Sequence, residues 1–297
     1  MANGLHISFL GADGIGKTTL VRTVASALRE RGLTVREVSW RSCLDREQNP
    51  WVSDALQQLW LETFRLLYGG SRVGDEWLRL PRDFPTWRDG EWEDRLAELA
   101  PGPARPAGPL AAAMVELAGN FVLAAEVIRP AVSRGEIVLQ ETFPFKHTLK
   151  EMLIARRLAG ADEQWSDALQ HVQTLLEQVF GSPLLRPELG ILIDGPVELA
   201  YRWRMAQSGR LGLLEDYRAA GDSGMESFCL LQQDSVQIFR DMAKRWDWAV
   251  HTVDDSGLEP NLRRGLELVL DQPCLQDVIA RLDRQGEHPG QPEEVAR

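Results

Sequence analysis

A three-layer α/β fold, in which a five-stranded parallel sheet carries helices on both faces and a helical and loop insert follows the second strand, is what this sequence predicts. Three observations lead there. Short apolar runs of strand type alternate with helical stretches along the chain. The loop Gly11-Ala12-Asp13-Gly14-Ile15-Gly16-Lys17-Thr18-Thr19 sits between the first run and the first helix. The alternation breaks between residues 41 and 110, where the composition changes.

The elements follow in order. Residues 6–10 (HISFL) read as the first strand, and Leu20, Val21, Val24, Ala25 and Leu28 recur at helical spacing until Gly32 stops the pattern. Residues 33–40 read as a second strand. From 41 to about 110 no further strand is expected, and apolar positions at 52, 55, 56, 59, 60, 63, 64 and 67 predict an amphipathic helix over 52–68. Five of the ten tryptophans fall between 51 and 92, and 100–109 (APGPARPAGP) reads as a connector. These aromatics have two readings: they pin the insert to the rest of the fold, or they line a ligand pocket. The Ala-rich helix over 110–127 is expected to end at Arg129-Pro130.

A third strand, 136–140, leads to Glu141. Helices over 149–158 and 162–180 precede a fourth strand, 190–194, which ends in Asp194. An Arg-rich helix over 198–210, a long helix over 228–245, a fifth strand over 248–253 and helices over 260–282 complete one domain, 1–284. The polar tail 285–297 is expected to be mobile. In a parallel sheet of this kind ligands collect at the carboxyl ends of the strands, so the loop, Arg41, Glu141, Asp194 and Asp254 share one edge.

The loop matches G-x-x-x-x-G-K-[ST] in the context that the motif requires. Gly11, Gly14 and Gly16 let the backbone N–H groups turn inward toward phosphate oxygens, and the helix that follows aims its positive end at the same place. Lys17 would reach the β- and γ-phosphates of ATP and the Thr18 hydroxyl would hold Mg²⁺, with Glu141 and Asp194 as further candidates for the metal. Asp13, Ile15 and Thr19 complete the expected nucleotide loop.

A formal net charge of −11 opposes attachment to nucleic acid or to an anionic membrane. The start shows no basic stretch leading into an apolar one, no uninterrupted apolar run reaches about 18 residues, and a cytoplasmic location is the expectation. Cys43, Cys229 and Cys274 lack the C-x-x-C spacing of zinc or redox sites. The partners expected are therefore ATP and a small-molecule acceptor, with a homodimer left open.

In its motifs the chain resembles the thymidylate kinase family of P-loop kinases, over about 1–40 and 115–270. G-A-D-G-I-G-K-T-T is similar to that family's G-x-D-G-x-G-K-[ST]-T, in which the Asp contacts the acceptor's sugar hydroxyl. The stretch from Glu126 to Ala131 followed by Gly135 and Ile137-Val138-Leu139, the run Leu192-Ile193-Asp194-Gly195-Pro196 with Glu198, and Val253-Asp254 resemble further family segments. The resemblance implies a P-loop NTPase fold and a catalytic arginine from the lid helix, here Arg202, Arg204 or Arg210. Two departures bear on the acceptor. The family's D-R-[YF] is Glu141-Thr142-Phe143, which keeps a catalytic carboxylate and an acceptor-side aromatic but loses the arginine. A second phosphate-holding arginine falls on Asn120, and the base-stacking aromatic four residues earlier is Glu116. Arg41 and Arg46 are the remaining cations near the acceptor.

The function expected is phosphoryl transfer to a small acceptor that is not dTMP, with the hydroxyl or other nucleophile on an uncharged scaffold. Two alternatives stay open: a nucleoside monophosphate kinase of thymidylate type, and a P-loop NTPase switch. No N-K-x-D tetrapeptide for guanine is present in the sequence.

Overall fold

Leu5–Gly11 (β1) is buried along its whole length, and its continuous apolar run is what a strand covered on both faces requires. The computed structural model describes residues 4–45, 49–218 and 224–286. Val35–Val38 (β2), Ile137–Gln140 (β5), Leu189–Asp194 (β6) and Ala249–Thr252 (β7) join β1 in one sheet of order β2-β5-β1-β6-β7, every pairing parallel. The chain fills one side of β1 first and then crosses to the other. That reversal places the switch point at the carboxyl end of β1. In register, Ser8 stands opposite Gln140 and Gly11 opposite Ile193, so Gly11, Glu141 and Asp194 share an edge as expected.

Helices cover the sheet. Lys17–Glu30 (α1) packs against β1, β2 and Leu258–Leu270 (α12). Phe145–Ala159 (α8) and Met225–Arg245 (α11) pack on each other, with α11 also against β1 and β6. Glu163–Phe180 (α9) lies on α8, Val197–Ser208 (α10) on α11, and Pro273–Gly286 (α13) on α12.

The second strand is shorter than the sequence suggested. Trp40 begins the helix Trp40–Leu44 (α2), because Ser39 adopts extended backbone and its hydroxyl accepts the Ser42 N–H while Ser42 caps back. Trp40 thereby leaves the sheet and enters a second hydrophobic cluster built by the insert. Its members include Pro50–Leu67 (α3), Phe84–Asp89 (α4) and Trp92–Leu99 (α5), with Leu56, Phe64, Trp87 and Leu96 buried. The insert also contains a small hairpin, Arg72–Val73 (β3) with Glu76–Trp77 (β4), where no strand was expected.

Pro130 does not end the helix before it. Ala107–Val122 (α6) widens into a π-helical turn over Leu123–Ile128 and continues as Arg129–Ser133 (α7). The wider turn changes the hydrogen-bond register just where proline lacks an N–H, so the axis carries on. The resulting helix, Ala107–Ser133, is long and apolar enough by length and composition to cross a membrane, which the sequence reading did not anticipate; 56% of its apolar window is buried in the fold. It packs against α3 and α8 and so joins the insert to the main core. The expected mobile tail from 287 onward, and Arg46, lie outside the described residues; 285 and 286 belong to α13.

Candidate functional site

The loop after β1 is shaped by its glycines. Gly14 and Gly16 have φ of 76° and 95°, where a side chain is strained. A Cβ on Gly14 would also lie 2.4 Å from the Ala200 carbonyl oxygen, so α10 rests directly on the loop. Ala12 and Ile15 are buried and anchor the turn from below. The N–H groups of Gly14, Ile15, Gly16, Lys17 and Thr18 have no hydrogen-bond partner among the described residues. Five unpartnered amides in one turn at a helix N-terminus are the groups that an anion cradle would need.

Three ammonium groups surround it. Lys17 is buried, and its Nζ donates to the carbonyls of Gly11 at 3.2 Å and Ala12 at 2.6 Å. Lys146 and Lys150, one turn apart on α8 and almost fully buried, both pair with Asp13. Gln232 completes the arrangement: its Oε1 accepts the Asp13 N–H at 3.0 Å and its Nε2 donates to the Asp13 carboxylate at 3.1 Å. Burial is the largest cause depressing the Lys17 pKa well below the ordinary lysine range, followed by the charge of Lys146. Lys150 is pushed down to about 8, again by burial first, with Asp13 opposing. Three buried amines share one carboxylate, and a polyphosphate beside them would favour their charged forms.

Beside the cradle the Thr18 hydroxyl donates to Glu141 Oε1 at 2.5 Å. This pair fits Mg²⁺, which is commonly held by one or two protein oxygens together with substrate phosphates. Asp194 does not join them. Its carboxylate takes a bidentate pair from Arg240, at 2.9 Å to each oxygen, and lines neither cavity described below. Among the described residues no group of three or more His, Cys, Asp or Glu side chains could hold a metal.

Two cavities meet at this edge. One, of about 580 Å³, is lined by the loop, Glu141, Thr142, Lys146, Trp203 and Leu258. The other, of about 660 Å³, opens inside the insert, and Trp40, Trp60, Phe64, Trp87 and Trp92 form its aromatic wall. These rings contact one another in sequence, with centroids 5.7, 5.5, 4.8 and 6.4 Å apart. The insert's aromatics pin it to the fold and also line a cavity: Trp87 is core and wall at once, whereas Trp51 and Trp77 are exposed. His147, Arg204 and Glu215 line both cavities and form the partition between them.

The candidate arginines separate by position. Arg204 stands at the partition, with its guanidinium on Glu215 at 2.8 Å. Arg202 is exposed, makes a bidentate pair with Asp255 at 2.8 and 2.9 Å, and lines neither cavity. Arg210 faces the insert, where it pairs with Asp94 at 2.9 Å and Glu98 at 3.4 Å. Arg41 lines the insert cavity, paired with Glu93 and 5.9 Å from the centre of the Trp60 ring.

Two acceptor-side expectations fail. Phe143 is fully buried and packs edge-on to Phe180, Trp246 and Trp248, so the residue after Thr142 turns into the core. Asn120 is buried on α6, donates to the Glu116 carbonyl at 2.8 Å within its own helix, and lines neither cavity. Sequence reasoning also passed over Lys146, Lys150, His147, Gln232 and Glu215. A signal for two of them was present: lysine and arginine together number 33, only four of those are lysine, and three of the four meet at this loop.

No family model matches the chain, and no curated protein matches its sequence.

Proposed function

We propose that this chain is a P-loop kinase that transfers the γ-phosphoryl group of ATP, with Mg²⁺, to a small-molecule acceptor bound in the insert cavity. The observation that carries the reading is the partition. A cradle suited to a triphosphate and an aromatic cavity suited to an organic acceptor share the wall of His147, Arg204 and Glu215. Phosphoryl transfer asks for this arrangement, because little covalent help is needed and most of the catalysis comes from alignment and charge neutralisation.

In this reading the free amides of 14–18 and Lys17 hold the β- and γ-phosphates, and Lys146 and Lys150 keep Asp13 and the loop in place. Thr18 and Glu141 would hold Mg²⁺, which would supply charge neutralisation to the phosphates. Trp203 and Leu258 offer an apolar wall to the base. An acceptor hydroxyl oxygen attacks the γ-phosphorus, the bond from that phosphorus to the β,γ-bridging oxygen breaks, and ADP leaves. The hydroxyl proton goes to His147 Nε2, with Glu116 Oε1 at 3.2 Å from Nδ1 to steady the imidazolium. Arg204 stabilises the charge on the transferring group.

In this reading the acceptor is not a nucleoside monophosphate held in the manner of the thymidylate kinases: Asn120 is buried and Arg41 pairs with Glu93, while Arg46 lies outside the described residues. Incubating the protein with a pool of small hydroxyl compounds, ATP and Mg²⁺, and searching by mass spectrometry for species heavier by one phosphoryl group, tests the reading. A phosphorylated product absent with Lys17→Ala supports it. Turnover of ATP to ADP with no acceptor consumed favours a switch instead.

A further inference from the structure

The floor of the insert cavity contains a buried carboxyl that the mechanism above does not use. Glu151, on α8, is fully buried and lines the cavity, and among the described residues its carboxyl oxygens meet no donor N–H, only the carboxyl of Glu116. Glu116, on α6, is also buried and lines the same cavity. Burial is the main cause raising the Glu151 pKa well above the carboxylate range, and the neighbouring Glu116 raises it further. Two facing acceptors bond only if one is protonated. A buried carboxyl whose only neighbour is a second carboxyl is costly, and native folds rarely leave one without use.

Among the described residues no cation of the wall is free to serve them. The four arginines that line the cavity are matched already, Arg41 with Glu93, Arg88 with Asp45, Arg204 with Glu215 and Arg210 with Asp94. His147 reaches Glu116 alone. Trp40, Trp60 and Phe64 line the same cavity, and the negative face of such a ring attracts a cation. Two buried carboxyl groups and aromatic rings in one cavity are the groups that a receptor for an organic cation uses.

We infer that the Glu151–Glu116 pair anchors a protonated amine or guanidinium group of the acceptor, so that the compound phosphorylated is a cationic hydroxyl compound and not a neutral one. The inference rests on the kinase reading for the word acceptor, but the binding of the cation stands independently of it. It also replaces the sequence expectation of an uncharged scaffold.

Phenethylamine and 2-phenylethanol form a probe pair of nearly equal shape that differ in ammonium against hydroxyl. Tryptophan quenching of the full chain, followed with each probe, reads the cavity directly because Trp60, Trp87 and Trp92 line it. Phenethylamine is expected to bind about 10- to 100-fold more tightly than the alcohol, the ratio of one buried charge-assisted contact. Glu151→Gln, which keeps the shape, should bring that ratio to about one. Circular dichroism checks that this variant folds; if it does not, Glu116→Gln reads the same ratio from the other member of the pair. Equal binding of the two probes by the wild type, binding of neither, or an undiminished ratio in the folded variant overturns the inference. A parallel titration with MgATP separates the two claims. Amine preference without MgATP binding contradicts the kinase reading alone, and MgATP binding without amine preference contradicts the anchor alone.

Discussion

The Arg204 guanidinium meets the Glu215 carboxylate at 2.8 Å on the wall that the two cavities share. The Gly212 N–H also donates to Glu215, at 2.7 Å, which holds the carboxylate in position for the arginine. In the proposed kinase reading, a cation kept at the boundary between the two cavities would neutralise charge on the group transferred between them.

Arg204→Ala should therefore lower kcat by about 10²- to 10³-fold, the scale for removal of one preorganised donor from a transition state, while MgATP affinity changes little. Arg202→Ala should stay within about twofold of wild type, since an exposed pair such as Arg202–Asp255 contributes little. Steady-state kinetics on the acceptor, or on slow ATP hydrolysis with water as acceptor, compares them. Equal losses in both variants would assign the catalytic cation elsewhere.

Asp13→Ala removes the carboxylate that faces both Lys146 and Lys150. Two buried ammonium groups then lack their partner, a loss of about 3 kcal/mol or more that should lower Tm on the order of 5–10 °C. Inorganic triphosphate should recover part of the shift, because the anion substitutes for the missing charge. Differential scanning fluorimetry with and without triphosphate measures both effects, and a Tm equal to wild type would show that the lysines do not depend on Asp13.

MgATP binding should take up protons at about pH 8. Lys150 sits at about 8 and Lys17 below the ordinary lysine range when the cradle holds no anion. A polyphosphate favours the charged forms and raises both values, so protons enter on binding and affinity falls as pH rises through 8. Calorimetry at pH 8 in buffers of different ionisation enthalpy reads the sign; proton release would contradict this electrostatic picture.

Local patterns made the sheet and the loop legible in the sequence. The glycine spacing, Lys17 and Thr18 lie within one turn of chain, and Glu141 follows a strand whose apolar run marks its end, so no long-range information was needed to bring them to one edge. Trp40 was misread because strand propensity and burial look alike at a chain end, and the Ser39 cap decided for helix. Phe143 and Asn120 were assigned to the acceptor through a resemblance, and their own surroundings, aromatic core and intrahelical bond, depend on packing that no local pattern encodes. Glu151 was invisible for the same reason. A glutamate in a helix reads as a solvated face until α6 covers it.

The central claim is that the Gly11–Thr19 loop binds a nucleoside triphosphate through Lys17, and equilibrium calorimetry of MgATP with the wild type and with Lys17→Ala tests it most directly. The account predicts one site per chain in the wild type and affinity at least about tenfold weaker in the variant, a loss of about 1.4 kcal/mol or more, with unchanged circular dichroism. No binding of MgATP by the wild type, or equal affinity in a folded Lys17→Ala, would contradict it.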